Sequence, residues 1–104
     1  MKIYWSDIAG SDLDDIYEYI ARDVPYYAQA FVDALIKATG ALEDHPRLGR
    51  RVPEARGRAD VRELIVQGYR VIYLLQSDRI QILTVLHGSR DLAGRTEQPW
   101  DGTQ

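Results

Sequence analysis

The stretch from Val61 to Leu86, "VRELIVQGYRVIYLLQSDRIQILTVL", constrains the fold most. It holds three β-rich runs separated by gaps too short for anything but tight turns. "VRELIV" (61–66) and "YRVIYLL" (69–75) flank Gln67-Gly68, and the polar turn "QSDR" leads into "IQILTVL" (80–86). Three such runs in succession predict an antiparallel meander. With Gln67-Gly68 as a two-residue hairpin loop, Val66 pairs with Tyr69, Ile65 with Arg70 and Arg62 with Tyr73. That register places Arg62 on the expected core face with Leu64, Val66, Tyr69, Val71 and Tyr73, and Arg70 on the other, open face. A bulge would change the assignment.

Upstream, Ile3, Tyr4 and Trp5 form a short β-favouring run that stops at Ser6 and Asp7, both good helix N-caps. Ala9, Leu13, Ile16, Tyr17 and Ile20 then recur as one stripe of a 3.6-residue period, with Asp12, Asp14, Asp15 and Glu18 as the solvent face. Asp23-Val24-Pro25 breaks this helix, and Pro25 is placed to open the next. The second helix carries Ala28, Phe31, Leu35, Ala38 and Leu42 on one face and ends before Pro46. So short a link predicts a helical hairpin. Residues 46–60, rich in Pro, Gly and Arg without any period, read as an exposed loop. The expected fold is α+β, in the order β-α-α-β-β-β, with the hairpin packed on one face of an antiparallel-type sheet. It is expected to be a single domain over residues 1–104, with a loosely held tail from about 93 anchored by Trp100.

Cysteine is absent, which removes disulfides, thiolate nucleophiles and cysteine metal sites. With 45% hydrophobic and 28% charged residues the composition is that of a soluble globular protein. The N-terminal residues turn polar too early for a signal-peptide core or a membrane span, so a cytoplasmic protein without a membrane partner is expected. The net charge of −3 argues against coating nucleic acid by bulk positive charge. The charge is unevenly placed, however. Residues 1–45 carry three cations (Lys2, Arg22, Lys37) against nine acids, a net −6, whereas from residue 46 ten arginines face seven acids, a net +3. No lysine is among those ten. The planar guanidinium fork suits carboxylate or phosphate, so either a basic face for an anionic partner or a set of solvated loop charges follows.

The residues able to carry chemistry are few. Arg62 and Arg70 lie inside strands, where a charged side chain either meets water or pairs, here with Glu63 or with helix acids. His87, in "VLHGSRDL" (85–92), is a candidate acid or base and equally a packed turn residue. In the same stretch Gly88 turns the chain, Ser89 caps, and Arg90 projects where it can meet Arg70 over the open face. His45 and His87 fit neither HxH nor HExxH, and there is no GxSxG or P-loop, so no metal and no cofactor is expected.

Taken in order, "DLDDIYEYIARDVPYYAQAFVDAL", "HPRLGRRVPE", "VRELIVQGYRVIY" and "VLHGSRDL" resemble the RelE/ParE superfamily of type II toxin–antitoxin toxins over about residues 3 to 92. The resemblance implies a small cytoplasmic bacterial toxin, neutralised by a cognate antitoxin whose extended arm wraps it. Two branches imply different targets. The RelE branch cuts messenger RNA on the ribosome with arginines, lysines and often a C-terminal tyrosine. Arg70 in "GYRVIY" and Arg90 in "HGSRDL" match two of its arginines, so Arg62, Arg70, Arg90 and His87 are the catalytic candidates under that reading. The lysines expected before "GYR" are missing, and no tyrosine follows Arg90. The ParE branch implies inhibition of DNA gyrase by binding, with growth arrest and plasmid stabilisation as consequences. "VLHGSRDL" and "GRRVPE" resemble that branch, which is the reading favoured. It makes Arg50, Arg51, Arg70 and Arg90 candidate contacts for gyrase or antitoxin, and expects Arg70→Ala to leave the fold intact. An inactive toxin fold retained as an antitoxin-binding module is the third possibility.

Overall fold

A computed structural model describes residues 1–102. Strand β1 (Lys2–Trp5) leads into α1 (Asp7–Ala21) and α2 (Pro25–Gly40), and a 3-10 turn at Ala41–Glu43 follows. Strands β2 (Arg50–Arg51), β3 (Val61–Val66), β4 (Tyr69–Leu75) and β5 (Arg79–His87) complete a sheet of order β1-β5-β4-β3-β2. The expected α+β order is present, with two differences. The sheet is mixed, because β1 lies parallel to β5. And the arginine-rich stretch, read as loop throughout, contributes the short antiparallel strand β2, pairing Arg50 with Glu63 and Arg51 with Arg62. Among the described residues no helix is long and apolar enough to cross a membrane.

The β3–β4 register is the one the two-residue turn dictates, with Val66 opposite Tyr69 and Arg62 opposite Tyr73. Gln67 and Gly68 both take positive φ, 48° and 82°, as the tightest hairpin turns require. A bulge does occur, one strand further on. Ile72 faces Thr84 while Tyr73 faces Ile82, so Leu83 is the extra residue. Helix α1 is tied at this bulge: Ser6, its N-cap, accepts a hydrogen bond from the Ala9 amide and donates through its hydroxyl to the Leu83 carbonyl. Asp12, expected on the solvent face, instead accepts from the Val85 amide at 2.9 Å and from the Thr84 hydroxyl. Hydrophobic periodicity cannot reveal such a carboxylate, because its partners lie more than seventy residues away in sequence.

Both faces of the sheet are covered. On one, Ala9, Ile16, Phe31 and Leu35 of the helices pack on Val71, Tyr73, Ile80 and Ile82. On the other, Val61, Ile72, Leu74 and Leu83 are roofed by Val52 and Ala55 from the loop before β3 and by Leu92 and Trp100 from the C-terminal segment. The face expected to be open is therefore a second core. Leu92, just before the tail, is 1% exposed, and Trp100, the tail's expected anchor, is 6% exposed.

The loop into β2 is pinned from the first core. Tyr73, fully buried, donates its hydroxyl to the Pro46 carbonyl at 2.8 Å and accepts the Gly49 amide at 3.0 Å. A Cβ on Gly49 would lie 2.6 Å from the Glu63 carbonyl oxygen and 2.7 Å from the Tyr73 ring. Neither neighbour can yield without moving a strand or a core side chain. Gly49→Ala is expected to cost about 1–3 kcal/mol, the range for forced overpacking, measured as a shift in urea midpoint; an unchanged midpoint would refute the crowding argument.

Candidate functional site

The site grows from a charged pair inside the sheet. Glu63 on β3 and Arg70 on β4 both point toward the second core, where their side chains are 0% and 6% exposed. A lone charge there would be prohibitive, so partners are supplied from three directions. Arg70 donates through Nε to Glu63 at 2.7 Å and through both terminal nitrogens to Glu54 at 2.8 and 2.9 Å. It donates further to the Arg90 backbone carbonyl at 2.9 Å. The other oxygen of Glu63 accepts from Nε of Arg50 on β2 at 2.7 Å. Glu54 also accepts the Leu92 amide at 3.1 Å. Four separate stretches of chain are thus held together through one guanidinium.

Electrostatics follow the geometry. The fork of Arg70 holds Glu54 far below its ordinary value, from 4.5 to about 2, against the opposing effect of burial and with help from the Leu92 amide. The same bonds raise Arg70 above the usual arginine value, Glu54 contributing most. A carboxylate whose folded pKa is depressed stabilises the fold above its unfolded pKa and loses that contribution as pH falls through the folded one. Glu54 is therefore expected to contribute about 3 kcal/mol at neutral pH, lost progressively below about pH 5 and gone near pH 2. Urea titrations of the wild type and Glu54→Gln should converge as pH falls through that window. A gap that stays constant would rule the linkage out.

Around this buried network lies a groove of about 570 Å³. Arg50, Arg56, Arg90, Ser89 and Ile65 line it, with Arg70 and Glu54 in its wall. Of the residues proposed from sequence, the structure brings together Arg50, Arg70 and Arg90. Arg70, expected on an open face, is instead sealed by two carboxylates. Its salt bridge to Glu63 is the pairing foreseen as the plain alternative. Arg90 meets Arg70 through its backbone oxygen, and its side chain stays exposed. Arg51 lies exposed on β2 opposite Arg62, outside the groove.

Arg62 and His87 belong to the other face. Arg62 shares the face of Tyr73, as its register demanded, and donates to the Gly49 carbonyl at 2.9 Å. His87 pairs with Tyr69 and meets its ring edge-to-face at 5.4 Å, while Arg70 pairs with Leu86. Neighbouring strand positions alternate in direction, so His87 and Arg70 point away from each other. His87 is exposed at the strand end rather than packed into a turn, and its Nδ1 lies 2.7 Å from the Ser89 hydroxyl. The Ser89 amide also lies 3.2 Å from that nitrogen. Gly88 is needed nearby, since a Cβ there would sit 2.8 Å from the Gly68 carbonyl oxygen.

Glu54, Arg56 and Ile65 were not foreseen at the site. The first two lie in a stretch without periodicity, and only an apolar residue on a face otherwise held by Glu63 and Arg70 hinted at the third.

The family model of the ParE toxin of the type II toxin–antitoxin system parDE matches residues 3–92. The chain belongs to the ParE toxin family. No curated protein matches it. Among solved structures, this ParE-family chain is similar to one in the chromosomal ParDE toxin–antitoxin system from P. aeruginosa. That likeness has a TM-score of 0.72 at 23% identity, covering 84% of this chain and 95% of that one. It is also similar to a chain of the toxin–antitoxin complex RelBE2 from Mycobacterium tuberculosis, with a TM-score of 0.53 at 22% identity, over 83% and 95% of the two chains. At these identities the structural likenesses establish the shared fold of the ParE-family chain.

Proposed function

We propose that this ParE-family toxin works by binding, that its target is DNA gyrase, and that a cognate antitoxin neutralises it in the cytoplasm. The observation that carries this reading is the fate of Arg70. An arginine that grips a phosphate or a developing charge in RNA cleavage needs free donors facing the substrate. Four hydrogen bonds hold Arg70 to two carboxylates and a backbone carbonyl. Of the other catalytic candidates, Arg62 and His87 lie on the opposite face of the sheet, so that Arg90 alone shares the groove with Arg70. A binding inhibitor requires none of them to converge. The solved relatives, a ParDE system and a RelBE2 complex, support an antitoxin as the second partner.

The test is purified chain added to gyrase in a supercoiling assay, with ribosome-dependent cleavage of messenger RNA followed in parallel. Inhibited supercoiling with intact message is the expected result. Unchanged supercoiling at high toxin concentration overturns the proposal. Cuts within codons would install the RelE-like endoribonuclease instead, and growth unaffected by the chain alone would favour an inactive binding module.

A further inference from the structure

Within the groove, the charges divide into two sets. Arg50 and Arg70 are matched by Glu54 and Glu63, so the buried network is balanced. Arg56 and Arg90 are different: both are exposed, and neither side chain has a hydrogen bond or ion pair among the described residues. Arg50, whose side chain is 63% exposed, lines the same groove, as does Ile65, 53% exposed one residue before the end of β3. An exposed apolar side chain that shares a groove with exposed guanidiniums is the pattern of a protein contact with a small desolvated centre and a charged rim. Nucleic acid fits less well. No aromatic ring lines the groove to stack a base.

We infer that Ile65, Arg50, Arg56 and Arg90 form the surface by which this toxin docks its target, and that the target presents an apolar side chain flanked by carboxylates. The inference rests on the binding reading above and adds which face binds and what it recognises. Arginine forks meet carboxylates in pairs of hydrogen bonds, giving orientation as well as attraction. The buried Arg70 network then acts as scaffold. It holds β2, the Glu54 loop and the Arg90 backbone in register, so that the exposed guanidiniums line one groove with Ile65.

The experiment expresses the full chain in bacterial cells and measures the induction needed for growth arrest, with gyrase supercoiling measured on purified protein. Wild type is compared with Arg56→Glu/Arg90→Glu, with Ile65→Asp, and with Arg22→Glu, an exposed control at the α1–α2 junction. The first two are expected to arrest growth at least about tenfold less effectively with melting unchanged, and the control to behave as wild type. Inhibition should also weaken as ionic strength rises. Wild-type potency in the double variant overturns the inference, as does equal loss in the control. If the double reversal lowers the melting temperature, Arg56→Gln/Arg90→Gln decides by the same criteria. Growth arrest with normal supercoiling, lost in the double variant, defeats the gyrase reading while leaving the docking face standing. A wild-type chain that never arrests growth defeats both.

Discussion

Arg70→Ala is expected to destabilise the fold by about 3–5 kcal/mol, the cost of breaking a buried ion pair from one side. From sequence alone Arg70 lies on an open face and the expected outcome is the opposite, an intact fold. In the structure its removal strands Glu63, fully buried, with Arg50 as its remaining partner, and leaves Glu54 with the Leu92 amide. The Arg90 carbonyl loses a donor as well. Folded domains hold about 5–15 kcal/mol in total, so this one change consumes a large share. Urea unfolding followed by circular dichroism measures it directly, and a loss below about 1 kcal/mol would show that the network is dispensable. A companion variant isolates the cause. Arg70→Met with Glu63→Leu should recover part of the loss, because the fully buried Glu63 carboxylate is removed with its partner and only Glu54 is left short of donors. One consequence concerns toxicity: an Arg70→Ala chain that fails to arrest growth says nothing about catalysis unless its folding is measured too.

Trp100→Ala is the second large effect, expected at about 3–5 kcal/mol for emptying a buried indole site. Trp100 lies in the second core with Leu92, Leu74 and Leu83, outside the residues matched by the family model. Gln98 secures the segment from within, donating its amide to the Leu92 carbonyl at 2.6 Å. Ending the chain after Leu92 is expected to match or exceed the point substitution, since it removes Trp100 and Gln98 together. Loss of less than about 0.5 kcal/mol in either variant, the scale of ordinary surface changes, would return the segment to the status of a loose tail.

What each level of description could reach follows from the range of the forces involved. The β3–β4 hairpin, its register, the helix breaks at Pro25 and the N-cap at Ser6 were readable from sequence, because they rest on backbone sterics, turn conformation and periodicity within a few residues. The ordered motifs likewise mark the toxin family from sequence alone. Trp100 was readable as an anchor, but the bulge at Leu83, the strand at Arg50–Arg51 and the roof that Val52 and Leu92 complete beside it were not. Isolated apolar residues in aperiodic chain carry no signal until something packs on them. The arginines show the division most sharply. Sequence alone determined how many there are, and that Arg62 and Arg70 point to opposite faces of the hairpin. The tertiary structure alone decided that Arg70 is sealed inside while Arg56 and Arg90 stay free. A charge finds its partner through space, and the separations of 16 residues to Glu54 and 20 to the Arg90 carbonyl leave no trace in local pattern.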